Sequence, residues 1–198
     1  MAEELRVRRA RSEDVPALTE LLHLPAADMY DRMAGSHARA LRVIAADLAG
    51  GSLDAVWVAE LGGEPAGAMV AQRFGGEPAR ARRHLRLLLR HTPPWRWPVI
   101  AWMHWRGQRL APSHPEDWLY VDALATDPAY RRRGVASALL VRAEEIAAER
   151  GAPAIALDTS HGNQSALALY RRAGFRIIGE VPARRPIPAV VLLSKDVA

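Results

Sequence analysis

The segment Leu119-Tyr-Val-Asp-Ala-Leu-Ala-Thr-Asp-Pro-Ala-Tyr-Arg-Arg-Arg-Gly-Val-Ala-Ser-Ala-Leu-Leu140 constrains the fold of this chain more than any other. It reads as a strand that passes through an arginine and glycine turn directly into a helix. Alternation puts Trp118, Tyr120, Asp122, Leu124 and Thr126 on one strand face, and Leu119, Val121, Ala123 and Ala125 on the other, buried face. Beyond Asp127-Pro128, the helical spacing of Val135, Leu139, Ala143 and Ile146 begins at Gly134. Ala154-Ile-Ala-Leu-Asp-Thr159 is a second strand, so residues 118–159 form a βαβ unit with a parallel pair and a right-handed crossover. The first amides of a helix lack internal partners and lie at the positive end of its dipole. A small-residue turn flanked by arginines at that point suits an anionic group such as a pyrophosphate.

The rest of the chain supplies further elements around this unit. Leu5–Arg9 alternates as a first strand, and Ser12-Glu-Asp-Val-Pro16 has the chemistry of a helix start, with the helix running to about Leu22. Pro25 breaks it, and residues 28–49 form a second helical region closed by Gly50-Gly51. Residues 56–61 and 66–74 flank Gly62-Gly-Glu-Pro65 as a β-hairpin. Gly151 ends the central helix. Asn163 to Ala173 is a helix stopped by Gly174, and residues 175–181 and 189–193 are the last strands. Residues 75–117 differ in composition, being rich in Arg, Trp and Pro, and read as an insertion within one domain covering 1–198. In it, Arg82, Arg83, Arg86 and Arg90 line one side of a helix and Ala81, Leu85, Leu88 and Leu89 the other, with Trp95, Trp97, Trp102 and Trp105 following. Such a helix can lie on a membrane or bind nucleic acid. The favoured expectation is that its leucines and tryptophans pack onto the sheet, with the arginines in water and the insertion shaping a pocket near residues 25–39.

Composition excludes several chemistries. With no cysteine there is no disulfide, thiolate metal site or cysteine nucleophile, and Lys195 is the only lysine, which rules out a phosphate-loop or interior Schiff-base lysine. The formal charge of +5 favours anionic partners without choosing among them. No stretch approaches a membrane span and the N-terminus has no apolar secretion signal, so a cytoplasmic protein without stable membrane insertion is expected. The seven histidines show no pair at metal-ligand spacing combined with carboxylates; no metal is assigned, and His161 is expected in a loop.

Arg131-x-x-Gly134-x-Ala136 alone fits a solvated turn as well as a site. The balance shifts with Asn163-Gln-Ser-Ala-Leu-Ala-Leu-Tyr-Arg-Arg-Ala-Gly-Phe175, where Asn163, Ala166 and Tyr170 share a helix side beside the carboxyl end of the strand that carries Asp158. Together with the opening Arg8-x-Ala10-x-x-Glu13-Asp14, these motifs resemble the GNAT superfamily of acetyl-CoA-dependent N-acetyltransferases, in the family's order and separation. The resemblance implies an α/β (α+β) fold: a mixed central sheet with helices on both faces and a central parallel pair splayed by a bulge where the coenzyme lies. By that resemblance Leu124, Ala125 and Thr126 offer backbone contacts to the pantetheine. Arg131, Arg132, Arg133, Gly134, Val135, Ala136 and Ser137 hold the pyrophosphate, Ala136 standing where glycine is more usual. Asn163 and Ala166 contribute from the other strand's side, and Tyr170 points at the sulfur.

The implied reaction is direct attack of a primary amine on the thioester in a ternary complex. An alkylammonium of pKa about 10.4 must first lose a proton, costing roughly 4 to 5 kcal/mol at pH 7, so a base or water chain is expected. Asp122 is the first candidate, because it shares a strand face with Leu124 and Thr126; it reads equally as a strand-edge hydrogen-bond acceptor. Asp158 ranks below it and Glu60 lower still. Tyr170 resembles the family's general acid, although hydrogen bonding to the developing thiolate is the safer role. Asn163 suits an N-cap as well as a coenzyme contact, and both can hold together. The acceptor is an amine of unspecified identity, no nucleic-acid motif is present, and the family often forms homodimers. The reading from another class is a non-catalytic acyl-CoA-binding regulator, or a basic protein that binds nucleic acid or a membrane surface.

Overall fold

The computed structural model describes residues 4–73, 78–110, 114–184 and 189–197. Phe74, the expected end of the second hairpin strand, and Gly75, the expected start of the insertion, lie outside these residues, as does the side chain of Ala81. Seven strands form one mixed sheet: β1 (Leu5–Arg9), β2 (Val56–Leu61), β3 (Glu64–Arg73), β4 (Leu119–Thr126), β5 (Ala154–Ser160), β6 (Arg176–Val181) and β7 (Val190–Asp196). Their order is β1-β2-β3-β4-β5-β7-β6, antiparallel throughout except for the parallel β4–β5 pair. That pair is the one the βαβ pattern requires, and its crossover is α6 (Val135–Glu149).

Both faces of the sheet are covered. On one, α6 and α7 (Gln164–Arg172) bury Val135, Leu139, Ile146, Leu167 and Tyr170 against Met69, Leu119, Val121 and Leu157. On the other, α1 (Val15–His23) and α3 (His37–Ala49) bury Leu18, Leu22, Ile44 and Leu48 against Val56, Val58, Val70 and Ala125. The expected second helical region is interrupted: α2 (Ala27–Ala34) ends at Gly35, whose φ of 84° is a left-handed stop, and Ser36 then caps α3 through the Arg39 amide. Gly67 allows α6 to approach β3 closely. A Cβ there would lie 2.6 Å from Val135 Cγ1 and 2.8 Å from the Ala125 carbonyl oxygen.

The expected alternation along β4 is corrected at Asp122. Val70 pairs with Ala123 while Ala71 pairs with Val121, so Asp122 is an extra residue with no partner on β3. A one-residue bulge reverses every side chain beyond it. Leu119 and Val121 face α6, but Ala123 and Ala125 turn to the α1 and α3 face, and Leu124 turns to the α6 face.

The insertion is helical, with α4 (Pro78–His91) and α5 (Trp97–Leu110). It packs differently from the expectation. Leu88 and Ile100 meet Val43 of α3 in a small separate cluster, away from the sheet. Trp95, Trp97, Trp102 and Trp105 face solvent, at 78%, 45%, 46% and 51% exposure. The physical reason is helical phase: the narrow contact with α3 is filled by aliphatic side chains, and in α5 Trp102 and Trp105 sit on the opposite side of the helix from Ile100. Arg83 also departs from the solvated row, donating to Asp47 Oδ1 at 3.2 Å, to the Gly50 carbonyl at 2.7 Å and to Ser52 Oγ. Among the described residues no helix is long and apolar enough to cross a membrane.

Candidate active site

The bulge has a second effect, on the pairing between β4 and β5. These strands run to Thr126 and Ser160, yet they pair only over Leu119–Val121 and Ile155–Leu157. Past the bulge they separate. Leu124, Ala125 and Thr126 keep their partners on β3, so the amides and carbonyls on their other edge face a gap instead of β5. The sheet thus holds an open edge in its middle, the one place in an α/β sheet where an extended ligand can add as a strand without disturbing either half.

The turn between β4 and α6 lies at the end of this gap. Asp127 caps a short turn over Pro128–Tyr130 by accepting from the Ala129 amide at 2.8 Å. Arg132 at φ 62° and Gly134 at φ 83° are both left-handed, which turns the chain sharply into α6. Gly134 is the helix N-cap, and the amides of Val135, Ala136 and Ser137 stand in the first turn, where no carbonyl of the helix can reach them. Arg131, Arg132 and Arg133 are exposed around it. A Cβ on Gly134 would meet nothing nearer than Leu5 Cδ2 at 3.9 Å, so the glycine leaves open space.

Across the gap, Asn163 is the N-cap of α7: its side-chain oxygen accepts from the Ala166 amide at 3.2 Å and from the Ser165 hydroxyl at 3.0 Å. Ala166 and Tyr170 lie along the same helix and pack into the α6 face of the core, Tyr170 against Phe175 with ring centroids 6.0 Å apart. Burial, with the nearby Asp158 charge adding to it, pushes the Tyr170 phenol up to about 12.

Sequence reasoning ranked Asp122 above Asp158, on the ground that Asp122 shares a face with Leu124 and Thr126. The bulge removes that ground. Asp122 is exposed beside Ala123, on the opposite side of the strand from Leu124. Asp158 is held in place by Tyr120. The Tyr120 hydroxyl lies 3.1 and 3.2 Å from its two carboxylate oxygens. Burial raises Asp158 to about 6; the hydrogen bond from Tyr120 opposes the rise and the charge of Asp122 adds to it. Burial, then Asp158 and Asp122, also raise the Tyr120 phenol, which therefore remains a donor. Tyr120 was unassigned in the sequence, because its partner lies 38 residues away and is reached only through the Tyr120–Ala156 register. Glu60 is committed elsewhere, to Arg8 Nε at 2.8 Å, in a network that also joins Arg8 to buried Asp14 at 2.7 Å.

A cavity of about 360 Å³ opens on the α1 and α3 face and reaches β4 at Asp122 and Ala123, next to the start of the gap. Its apolar part is Leu22, Ile44, Leu48, Val56 and Val70, and its polar part includes Tyr30, Gln72, His84 and His104. His84 and His104 come from α4 and α5, so the insertion does wall this cavity. A second grouping escaped the sequence: His23 at the end of α1, Asp31 within α2 and His37 at the start of α3 bring ligand-capable atoms within 4.8 Å of one another. Asp31 is bonded to His23 Nε2 at 2.8 Å, and the guanidinium-bearing Arg32 and Arg96 line the adjoining surface. His161 lies exposed in the turn before α7.

Comparison with known proteins agrees with this architecture. The model of the acetyltransferase (GNAT) family matches residues 18–175. The chain is 44% identical over 75 residues to the mycothiol acetyltransferase of Clavibacter sepedonicus, covering 34% of this chain and 24% of that protein. It is 44% identical over 64 residues to an acetyltransferase of Agrobacterium fabrum, covering 32% and 45%. The chain thus spans less than half the length of the curated relatives it matches. Among solved structures, one described as an acetyltransferase superposes with a TM-score of 0.73 at 20% identity, over 98% of this chain and 100% of that one. An N-acetyltransferase from Staphylococcus aureus gives 0.65 at 20% identity, over 96% and 100%. At these identities the structures speak for the fold, and the family match, which spans most of the chain, speaks for kinship: this protein belongs to the GNAT family of acetyltransferases.

Proposed function

We propose that the protein moves the acetyl group of acetyl-CoA onto a primary amine, by direct attack within a ternary complex. The observation that carries this reading is the open β4 edge at Leu124–Thr126 leading to the left-handed turn at Gly134. Those backbone groups match an amide-bearing arm such as pantetheine, and the amides of Val135, Ala136 and Ser137, ringed by Arg131, Arg132 and Arg133, match a pyrophosphate. Bound there, acetyl-CoA supplies an activated acyl group. Asn163 and Ala166 border the arm from the far side of the gap.

In this reading Asp158 is the base. A carboxylate near pKa 6 is mostly ionised at pH 7 and takes the proton as the C–N bond forms and the amine loses its basicity. Tyr120 orients it, and Asp122, at the cavity, keeps its affinity for protons high. Tyr170 acts as a hydrogen-bond donor to the departing thiolate. With its phenol near 12 and a thiol near 8.5, full proton transfer is uphill by about 5 kcal/mol, so donation without transfer is the assigned role.

Isothermal titration with acetyl-CoA tests the coenzyme site. Saturable binding is expected, and Gly134→Glu, which forces a bulky anion into a left-handed position, is expected to abolish it. Absence of binding to the parent chain, or equal binding by the variant, overturns the assignment.

A further inference from the structure

The geometry points to a transition-metal site made by His23, Asp31 and His37, in which a divalent ion of the zinc type clips the helices α1, α2 and α3 together. The chain path brings the three residues to one place. His23 is the last residue of α1, a short turn over Leu24–Ala26 leads into α2, and α2 carries Asp31. The left-handed Gly35 then reverses the chain and Ser36 caps α3, whose first residue, His37, comes back beside Asp31.

The spacing of the ligand atoms is near what coordination needs. His23 Nε2 lies 2.8 Å from Asp31 Oδ1, His37 Nδ1 lies 3.8 Å from the same oxygen, and the two imidazoles meet edge to face with centroids 4.7 Å apart. A tetrahedral zinc ion with bonds of about 2.0–2.1 Å sets its ligand atoms about 3.3 Å apart, so shifts of about half an ångström turn this hydrogen-bonded group into a coordination shell. Exposure is graded as an open site requires. His23 is buried and its ring is held, whereas Asp31 is partly exposed and His37 exposed, which gives an ion a way in and leaves its fourth position to water.

The donor set selects the cation. Two imidazoles and one carboxylate suit zinc and its first-row neighbours, while calcium and magnesium require oxygen ligands throughout. Arg32 and Arg96 outweigh Asp28 on the adjoining surface and oppose a cation held by charge alone, so imidazole nitrogen has to carry the binding. The consequence reaches the cavity on the α1 and α3 face. His23 follows Leu22 and Asp31 follows Tyr30, both lining that cavity, and α3 supplies Ile44 and Leu48 to the same wall. An ion at the junction fixes these helices relative to one another. Metal binding here is independent of acyl transfer.

The test titrates the full chain, free of any affinity tag and stripped with a chelator, with zinc chloride in isothermal calorimetry, and repeats the titration with His37→Ala and Asp31→Asn. His37→Ala is an exposed change that leaves the His23–Asp31 contact in place, so the fold is retained. The parent is expected to bind one equivalent with a Kd of about 1 μM or below, and each variant at least about a hundredfold more weakly. Zinc at about a hundredfold excess over the parent's Kd is expected to raise Tm by about 5–10 °C in the parent and by less than about 2 °C in the variants. His161→Ala, a change at an exposed histidine outside the cluster, is expected to bind as the parent does. Absence of saturable zinc binding overturns the site. Binding that His37→Ala and Asp31→Asn leave unchanged belongs to other histidines and overturns it too, and binding without a rise in Tm overturns the clip. Magnesium chloride is expected to give no saturable binding, and magnesium bound more tightly than zinc overturns the nitrogen-ligated assignment.

Discussion

Replacing Tyr120 by Phe removes a single hydroxyl, and with Asp158 as the proposed base the sign of its effect on turnover follows from the direction in which that hydroxyl shifts the carboxylate. That hydroxyl lies 3.1 and 3.2 Å from the oxygens of Asp158 and stabilises the ionised carboxylate, opposing the burial that raises it to about 6. A hydrogen bond to a charged group contributes about 1.5–3 kcal/mol, or about 1–2 pKa units. Asp158 should therefore titrate near 7 to 8 in Tyr120→Phe. The ionised fraction at pH 7 falls from about nine-tenths to between a half and a tenth, so kcat/KM falls about two- to tenfold there and recovers above pH 9. Asp122→Asn should shift the same limb the opposite way, below 6, because the Asp122 charge contributes to the rise. Thiol release between pH 5 and 10, taken as the ratio of each variant to the parent, cancels the titration of the amine itself. An unmoved acidic limb in Tyr120→Phe, or movement of both variants in one direction, refutes Asp158 as base. Loss of all turnover in Asp122→Asn returns that role to Asp122.

The other expectations concern stability and the leaving group. Asp158 binds its proton more tightly folded than unfolded, so its contribution is most favourable at low pH and is lost as pH rises from about 3.8 through about 6; at pH 7 the cost is about 3 kcal/mol. Asp158→Asn should consequently raise Tm by about 5–10 °C at pH 7 and by nothing near pH 3 while abolishing turnover, measured by calorimetry at the two pH values. Tyr170→Phe should lower kcat about tenfold to a hundredfold with the acetyl-CoA Kd changed less than about threefold, and equal turnover would reduce Tyr170 to a packing residue. Gly67→Ala, whose Cβ would sit 2.6 Å from Val135 Cγ1, should cost about 1–3 kcal/mol in urea unfolding, and an unchanged midpoint would show that α6 yields freely.

The second half of the fold was legible where glycine punctuates a hydrophobic pattern, although the same kind of stop at Gly35 went unread. Gly134, Gly151 and Gly174 all have positive φ where the sequence placed a start or a stop, and the βαβ unit followed from the strand, helix, strand pattern over residues 118–159. The family resemblance implied a bulge, but its position was not legible, because Leu119 to Thr126 alternates smoothly and nothing in a period-two string marks the residue that pairs with nobody. Its consequences were hidden with it, namely the reversed faces of Ala123 and Leu124 and the separation of Asp122 from the side of the strand that Leu124 occupies. The Tyr120–Asp158 contact and the His23, Asp31 and His37 grouping depend on register and helix junctions that only the assembled chain defines. In the insertion, periodicity revealed a helix with two faces, but which face docks depends on the partner surface. Val43 of α3 accepts Leu88 and Ile100, and the tryptophans are left outside.

Because three residue pairs are all that stitch β4 to β5, the sheet is two ribbons sharing a short seam, β1 to β4 on one side and β5, β7 and β6 on the other. A molecule lying in the cleft would bond to the raw border of the first ribbon and brush the helix that caps the second, lengthening the seam from within. Occupancy and cohesion then become one quantity: amide hydrogens of the two ribbons should exchange as separate populations in the empty protein and merge into one slow class as the cleft fills.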